Sequence, residues 1–407
     1  MMGLALNIAA RGLVIVFQFV NIKLYTNYLD SHQLGIYFFL LSASYSVNAL
    51  LFIPIDYYQQ ANLMQLRKSP AGIRPLLILN RNLMLLYVAF SVLIILGFLV
   101  IWRDQVLSIM LLILLAYALY VVQALRNTMN NLDYRNCVSI SFVQEAVLKV
   151  IFFYLMANLF QANEVLLIIA WLSALVLTGV YLAWKANQNY IFSSNSEGDK
   201  ISVSVVFRFS LPFSIGAACN WLQLQGYRLV LVPLGFSEAV GIFATVSAIG
   251  SAAIGAVSLI YNQQFIPLIY NSKGKYTARF LKGAILVVIG VAIIMGVLAE
   301  PMMLLLTSPM FSENWDAIFF GVFIDGAVLL IGALAIHISI AGKTKQLVLP
   351  ALTGLASMAL CFCILFSMAN ISIVTIGFPL VISQWLVVVH MFLIFMKLKV
   401  KILRCVP

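Results

Sequence analysis

The sequence predicts an all-α integral membrane protein with about twelve transmembrane helices, grouped into two six-helix lobes that an internal repeat relates. Three observations lead to this fold class. The 407 residues are 63% hydrophobic and only 9% charged, with a mean hydropathy of +1.05, a balance that soluble globular proteins do not have. Apolar stretches long enough to cross a bilayer recur along the chain. The polar pattern of the first stretch reappears about halfway along.

The apolar stretches follow one another with short loops. They lie at residues 8–28, 34–62, 76–101, 106–125, 138–159, 164–184, 207–232, 239–262, 281–300, 317–340, 346–367 and 373–396. Residues 185–206 form the longest polar stretch, which predicts a flexible cytoplasmic linker. The expected domains are therefore an N-terminal lobe of residues 1–184, this linker, and a C-terminal lobe of residues 207–407 that ends in a basic cytoplasmic tail.

Polar residues form one stripe on the first span and a second stripe on the seventh. On a helix, the first set falls within an arc of roughly 100° and the second within roughly 60°. The residues are Asn7, Arg11, Gln18, Asn21, Tyr25 and Tyr28 in the first span, and Ser210, Ser214, Trp221, Gln225 and Arg228 in the seventh. A spanning helix turns such a stripe away from lipid, so the stripes predict a water-filled cavity or a partner helix.

A similar sequence motif follows each stripe. Lys23 precedes Leu-Asp-Ser-His-Gln-Leu-Gly-Ile-Tyr at 29–37, and Arg228 precedes Gly-Phe-Ser-Glu-Ala-Val-Gly-Ile-Phe at 235–243. The order of cation, apolar run, short turn and Gly-Ile-aromatic is the same in both. Such a duplication in a polytopic chain is typical of transporter folds with two related lobes.

The loop cations lie almost entirely on one side of the predicted topology. With a cytoplasmic N-terminus, 17 loop and tail cations fall inside and only Arg103 falls outside. This positive-inside bias predicts that both termini are cytoplasmic. It also accounts for the net charge of +11, which is therefore no indication of nucleic-acid binding.

Cations within or at the edges of the spans predict a binding site for an anionic group, because ionisable residues in a membrane are costly and usually functional or paired. An arginine can bond two oxygens of a phosphate or pyrophosphate. The alternative is that these side chains snorkel to the membrane surface. The predicted substrate-binding residues are Arg11, Lys23, Arg208 and Arg228, with Gln18 and Gln225 beside them on the stripes.

Acidic residues in the spans are candidates for coupling to an ion gradient. Glu145 and Lys149 lie one helical turn apart, which also fits a structural ion pair. Asp325 has no oppositely charged residue in its own span, so it either is protonated or binds a cation. Asp56 follows a proline near the inner end of the second span, where it could also be interfacial.

Cofactor, metal and enzyme sites are not expected. The loops are too short for a nucleotide-binding or catalytic domain, and Cys361-Phe362-Cys363 has no acidic or histidine neighbour to complete a metal site. We therefore predict a non-enzymatic membrane protein without a cofactor.

The chain has twelve predicted spans in two halves, with both termini inside, and it carries Gly-Ile-Tyr at 35–37 and Gly-Ile-Phe at 241–243. In these features it resembles the polysaccharide-exporter branch of the multidrug/oligosaccharidyl-lipid/polysaccharide (MOP) superfamily. It is most similar there to the Wzx-type O-antigen flippases. The sequence departs from that pattern at Tyr227, where the family often has an acid before the cation.

The resemblance implies a MATE-like, V-shaped pair of lobes that works by alternating access in a bacterial inner membrane. The cargo would be an oligosaccharide on undecaprenyl pyrophosphate, moved from the cytoplasmic to the periplasmic leaflet for O-antigen, lipopolysaccharide or related polysaccharide synthesis. Its pyrophosphate would lie among the four cations while the lipid tail stays in the bilayer. The implied partners are a proton or sodium counter-ion, membrane lipids and other polysaccharide-assembly proteins.

Two alternatives remain open. A MATE-like drug/cation antiporter shares the superfamily fold, but it would need a cavity dominated by acidic groups. A membrane polysaccharide polymerase would act on the same lipid-linked sugars, but it would need a large periplasmic loop, and the outer loops of this sequence are short.

Overall fold

The computed structural model describes residues 2–48, 52, 55–56, 58–60, 62–63, 74–101, 106–188, 202–367 and 371–404. Helix accounts for 91% of it, and the described residues include no strand. An apolar chain that crosses lipid must satisfy its backbone hydrogen bonds internally, which the α-helix does within a single segment. The all-α membrane fold class predicted from the sequence is confirmed.

Twelve long helices account for most of the described residues. The first six are α1 (Met2–Tyr28), α2 (Ser31–Val47), α3 (Arg74–Ile101), α4 (Val106–Asn131), α5 (Arg135–Leu159) and α6 (Glu164–Gln188). The next six are α7 (Val203–Leu231), α8 (Ser237–Asn271), α9 (Thr277–Leu306), α10 (Ile318–Ile340), α11 (Val348–Ser367) and α12 (Ile373–Arg404). Each overlaps one of the twelve predicted spans. The basic tail predicted after the last span is a continuation of α12 in its described part.

Eight of these helices are long and apolar enough to cross a membrane, within the described part of the chain. They are α4, α5, α6 and α8 to α12. Their candidate spans have 23 to 30 residues, and at about 1.5 Å per residue such spans exceed the hydrocarbon core of roughly 30 Å. The chain is therefore a multi-pass membrane protein.

Contacts between residues divide the chain into two compact units. The first unit comprises Met1–Asn21 and Phe39–Ser214, and the second comprises Ile22–Phe38 and Ile215–Pro407. The end of α1 and the start of α2 thus belong to the second unit. The lobe boundary predicted at residues 185–206 stays a prediction, and residues 189–201 of that linker lie outside the described residues.

In the second unit, the two copies of the repeated sequence motif pack against each other. A Cβ added to Gly35 of α2 would overlap the carbonyl oxygen of Ser237, and one added to Gly241 of α8 would overlap the carbonyl oxygen of Ser31. Each helix start therefore offers a glycine to the backbone of the other. Small residues of this kind let helix backbones approach closely.

The same exchange recurs farther along α8. Gly250 contacts the carbonyl of Ile318, while Gly321 of α10 contacts the carbonyl of Ser247. The middle of α10 is buried by α8, α9 and α12, and its alanines and glycines allow this close packing.

Candidate functional site

The first unit holds a buried ion pair that joins α4 to α5. The Nη1 atom of Arg126 lies 2.8 Å from the Oε2 atom of Glu145. Its Nε and Nη2 atoms donate to the hydroxyl and the carbonyl oxygen of Ser141, each at 2.9 Å. Arg126 is only 5% exposed because α4 continues six residues past the predicted end of the span and carries it into the helix packing. The guanidinium is therefore held in one orientation by three polar contacts.

Two arginines share one aromatic ring in this unit. The guanidinium carbon of Arg126 lies 3.9 Å from the ring centroid of Phe142, and that of Arg11 lies 4.2 Å from the same centroid. Both contacts are favourable cation–π interactions, and they hold Arg11 of α1 close to α5. The predicted residue Arg11 is thus placed beside a second arginine.

Glu145 is also held by α6. Its Oε1 atom accepts a hydrogen bond of 2.9 Å from the indole nitrogen of Trp171, and the Nζ atom of Lys149 lies 4.1 Å from the Trp171 ring centroid. The predicted coupling residues Glu145 and Lys149 therefore meet the same tryptophan. The direct salt bridge of Glu145 is made across helices to Arg126.

The cluster has an excess of positive charge. Among the described residues, the cluster contains the three cations Arg11, Arg126 and Lys149 and one carboxylate, Glu145. The surroundings are apolar helices, in which uncompensated charge is costly. An anion with several oxygens, such as a phosphate or pyrophosphate, would balance this charge and bond the guanidinium groups.

Sequence reasoning missed Arg126, Phe142 and Trp171. Arg126 lies just past the predicted span 106–125, where the hydropathy falls. The available signal was Glu145 itself, since a carboxylate in an apolar span requires a partner, and a cation on a neighbouring span satisfies that requirement as well as Lys149 does.

In the second unit, Lys23 is placed at the end of α9. Its Nζ atom donates a 2.8 Å hydrogen bond to the carbonyl oxygen of Thr307, the residue that follows the helix. A cation is favourable there because the last carbonyls of a helix carry partial negative charge.

The cation at the end of the seventh span is surrounded by aromatic rings. The Nε atom of Arg228 donates to the Tyr227 hydroxyl at 2.8 Å, and its guanidinium carbon lies 4.9 Å from the ring centroid of Phe38. Tyr227, which replaces the acid of the resembled family, is thus a hydrogen-bond partner of Arg228. Gln225, one turn earlier, is half-buried.

The six predicted substrate-binding residues are divided between the units. Arg11, Gln18 and Arg208 belong to the first, while Lys23, Gln225 and Arg228 belong to the second. The side chains of Gln18 and Arg208 are exposed. Of the six, Arg11 is the one that the structure places in the cluster around Phe142.

Asp56 lies in a hydrogen-bonded network of the first unit, and its backbone is helical. Its Oδ2 atom accepts from Asn127 at 2.8 Å and from Gln60 at 2.7 Å. Its Oδ1 atom is buried and has no hydrogen-bond partner among the described residues. Next to it, Gln59 donates to Thr128 at 2.6 Å. A proton or a small cation would satisfy the remaining oxygen.

Asp325 lies in the second unit, on α10. It is half-buried and lies close to Ser251 of α8, next to the close crossing at Gly250 and Gly321. Within the described ranges, no group of three His, Cys, Asp or Glu residues lies close enough to hold a metal ion.

Comparison with known proteins identifies the fold. No protein-family model matches the chain, and no curated protein matches it by sequence. A multidrug resistance MATE transporter of the MOP superfamily, solved facing inward, is 11% identical, with a TM-score of 0.67 over 98% of this chain and 96% of that one. An outward-facing structure of a MATE transporter of this superfamily is 12% identical, with a TM-score of 0.57 over 98% and 97%.

A third similar structure is a MOP superfamily transporter from Pyrococcus furiosus, for which a reverse polarity of the binding pocket suggests a different function. It is 11% identical, with a TM-score of 0.59 over 98% of this chain and 95% of that one. Across nearly its whole length, the chain therefore has the fold of the MATE transporters of the MOP superfamily.

Proposed function

We propose that this protein is a flippase that moves an undecaprenyl-pyrophosphate-linked oligosaccharide, an O-antigen or related repeat unit, from the cytoplasmic to the periplasmic leaflet by alternating access. The observation that carries the proposal is the group of cations on neighbouring aromatic rings of the first unit. Arg11 and Arg126 share Phe142, Lys149 lies over Trp171, and Glu145 is the carboxylate that the described residues bring into contact with Arg126 and Trp171. A pyrophosphate is a ligand of the right sign, and its oxygens match the donors of the guanidinium groups.

The fold supports transport as the general activity, since the similar structures are transporters. It does not separate a flippase from a MATE-like drug/cation antiporter, which is the second candidate. The sign of the charge in the first unit favours the flippase, because a cationic drug would be repelled by the same three cations. The Pyrococcus furiosus protein supports the use of pocket polarity as the criterion within this fold.

Three further roles belong to the proposal. Asp56, with an unsatisfied oxygen, and Asp325 are the carboxylates proposed to bind a coupling proton or sodium ion. Lys23, Arg208 and Arg228, with Gln18 and Gln225, are proposed to contact the cargo at some stage of its passage. The proposed location is the bacterial inner membrane with both termini in the cytoplasm, as the distribution of loop cations favours.

The decisive variant is Arg11→Ala, since Arg11 forms no salt bridge with the carboxylates of the described residues and its replacement leaves the Arg126–Glu145 pair in place. Purified protein in proteoliposomes would be assayed for flipping of a labelled undecaprenyl-pyrophosphate-linked saccharide. Loss of charge-assisted hydrogen bonds worth about 1.5–3 kcal/mol predicts that flipping slows by about 10- to 100-fold. Arg11→Lys should retain part of the activity, because lysine keeps the positive charge but cannot form bidentate hydrogen bonds to two phosphate oxygens.

The matched control is Arg81→Ala, which removes an exposed arginine from α3 of the same unit. It should flip the lipid at the wild-type rate. Equal activity of Arg11→Ala and wild-type protein would contradict the role of the cluster. If wild-type protein moved an organic cation and left the lipid-linked saccharide in place, the antiporter would replace the flippase.

A deletion strain tests the same proposal in the cell. Loss of the flippase should cause the lipid-linked saccharide to accumulate on the cytoplasmic leaflet. Single units that accumulate on the periplasmic leaflet would indicate a polymerase instead.

A further inference from the structure

Four cations lie within a stretch of ten residues at the turn between α8 and α9 of the second unit. Lys273 and Lys275 are in the turn, Arg279 and Lys282 are at the start of α9, and all four side chains are exposed. The sequence has no acidic residue between positions 239 and 299, and the salt bridges between described residues do not involve these four cations. The turn therefore presents a concentrated positive surface.

The dipole of α9 makes this concentration of positive charge unfavourable in the absence of an anion. The first turn of a helix carries partial positive charge on its N–H groups, so acidic residues or bound anions stabilise it. The first turn of α9 has no acidic residue and contains Arg279 instead. Lys275 lies two residues before the helix, and Lys282 lies in its second turn. A bound anion would offset both the cations and the helix dipole.

The backbone of the turn is fixed by contacts with α10. The Nδ1 atom of the buried His337 lies 3.1 Å from the hydroxyl oxygen of Thr277 and 3.2 Å from the carbonyl oxygen of Gly274. A Cβ on Gly274, which has a φ of +85°, would overlap the same imidazole ring. Lys273 has a φ of +50°, a left-handed conformation that is uncommon for lysine. The cations are thus presented on a preformed turn, and a ligand would not need to order it on binding.

An exposed apolar stripe continues from these cations along α9. Its side chains are between 48% and 74% exposed, and they follow Lys282 at spacings of three or four residues, which places them on one face of the helix. This α9 stripe consists of Leu286, Ile289, Ile293 and Val297. Arg279 lies three residues before Lys282 and shares the face. A ligand that binds these two cations can therefore extend an apolar part along the stripe.

We propose that the start of α9 binds the phosphate of an anionic bilayer phospholipid, and that one acyl chain of this lipid lies along the α9 stripe. The positive charge selects an anionic headgroup over a zwitterionic one. The stripe selects an amphiphile over free phosphate or an acidic peptide, because neither would cover an apolar helix face that continues for several turns. The site belongs to the second unit, and its occupancy does not depend on which cargo the protein moves.

The test uses phosphatidylglycerol with a photoreactive group on one acyl chain, added to the full-length protein in phosphatidylcholine nanodiscs. Peptide mass spectrometry should locate the label within residues 279–297. Unlabelled phosphatidylglycerol should displace the probe, whereas additional phosphatidylcholine and soluble glycerol phosphate should not.

Arg279→Gln/Lys282→Gln should weaken the binding of the probe by about 30-fold, because each basic residue near an anionic headgroup raises the affinity by about fivefold. The matched control is Arg81→Gln/Arg135→Gln, which removes two exposed cations from the first unit and lowers the net charge by the same amount. It should be labelled as the wild-type protein is.

Equal labelling of Arg279→Gln/Lys282→Gln and wild-type protein would overturn the site, and so would an equal loss in the control, since net charge alone would then explain the binding. Displacement by undecaprenyl phosphate at lower concentrations than by phosphatidylglycerol would overturn the assignment to a bilayer phospholipid in favour of the carrier lipid. If the double variant does not fold, the position of the label on the wild-type protein decides, and a label outside residues 279–297 overturns the site. The assay needs neither a saccharide nor transport, so its outcome is independent of the flipping assay.

Discussion

Arg126 and Glu145 are the residues on which the order of the cationic cluster depends. Their side chains are only 6% and 17% exposed, so each charge needs the other to offset its desolvation. Two hydrogen bonds to Ser141 hold the Nε and Nη2 atoms of Arg126, and one from Trp171 holds the Oε1 atom of Glu145. The pair therefore fixes α4, α5 and α6 around a common polar centre.

We expect Arg126→Met to destabilise the protein by about 3–5 kcal/mol, because it leaves the Glu145 carboxylate buried without a partner. The double variant Arg126→Met/Glu145→Met should cost clearly less than the sum of the two single variants. Unfolding of the detergent-solubilised protein would measure this coupling as a double-mutant cycle. Strictly additive losses would show that the pair contributes no coupling energy.

The double variant also separates folding from binding. It removes one charge of each sign, so Arg11 and Lys149 keep the cluster positively charged. A folded double variant should therefore retain measurable binding of the lipid-linked saccharide, whereas Arg11→Ala should weaken it by about 10- to 100-fold while costing less stability than Arg126→Met.

At the residue scale, the sequence was sufficient to single out Arg11, Glu145 and Lys149 as charged residues within spans. It was not sufficient to pair them. The i, i+4 spacing of Glu145 and Lys149 can be read directly from the sequence. The salt bridge between Glu145 and Arg126 cannot, because it depends on how α4 packs against α5. Pairing between helices is a property of the tertiary structure, so the spacing of residues within one helix does not predict it.

Helix crossings, the next larger scale, depend on glycines at four positions. Gly35 and Gly241 place the starts of α2 and α8 in backbone contact, and Gly250 and Gly321 do the same for α8 and α10. In each pair, the glycine of one helix contacts the backbone of the other helix. A methyl group added to either glycine would therefore push the two backbones apart. A backbone carbonyl cannot move aside as the tip of a flexible side chain can.

Gly241→Ala should therefore destabilise the protein by about 1–3 kcal/mol, the usual cost of overpacking. Gly255→Ala is the control on the same helix, since a Cβ there meets nothing within 4 Å. This variant should be neutral, or stabilising by up to about 1 kcal/mol, because alanine favours the helix over glycine. Thermal unfolding of both variants in one detergent checks the difference, and equal melting temperatures would contradict the crossing.

Hydropathy predicted where the helices lie but not where they end. The eighth span was expected at 239–262, whereas α8 continues to Asn271. An apolar run marks the part of a helix that lipid surrounds, and the polar residues beyond it leave no hydropathy signal. The extension of α4 that carries Arg126 escaped prediction for the same reason.

For the molecule as a whole, the division of α1 and α2 between the two units is the main feature. Residues 22–38 lie early in the chain but belong to the second unit, through the contact of Gly35 with Ser237, the hydrogen bond from Lys23 to Thr307 and the contact of Arg228 with Phe38. The second unit is therefore built from two separate parts of the chain. The repeat in the sequence predicted two related halves, but which helices pack together is set by long-range contacts.

A chain with a protease site inserted at residues 189–201 tests this division. After cleavage, the two fragments should co-purify in mild detergent, because the N-terminal fragment carries residues 22–38 of the second unit. Size-exclusion chromatography of the cut protein would measure the association. Gly35→Leu should weaken it, while Gly12→Leu, at a glycine with open space around it, should not.

Fragments that separate at once on cleavage would contradict the assignment of residues 22–38 to the second unit. Insertion of the site without cleavage controls for damage by the inserted residues themselves.

The position of residues 22–38 has a consequence for synthesis at the ribosome. The backbone contact between Gly35 and Gly241 joins residues roughly 200 positions apart, which a ribosome needs about 10–40 s to translate at about 5–20 residues per second. During that interval, the newly inserted α1–α2 hairpin has no α8 to cover its glycine surface. Residues 22–38 therefore enter the membrane well before α8 is made, and until then lipid or the insertion machinery has to cover the surface around Gly35.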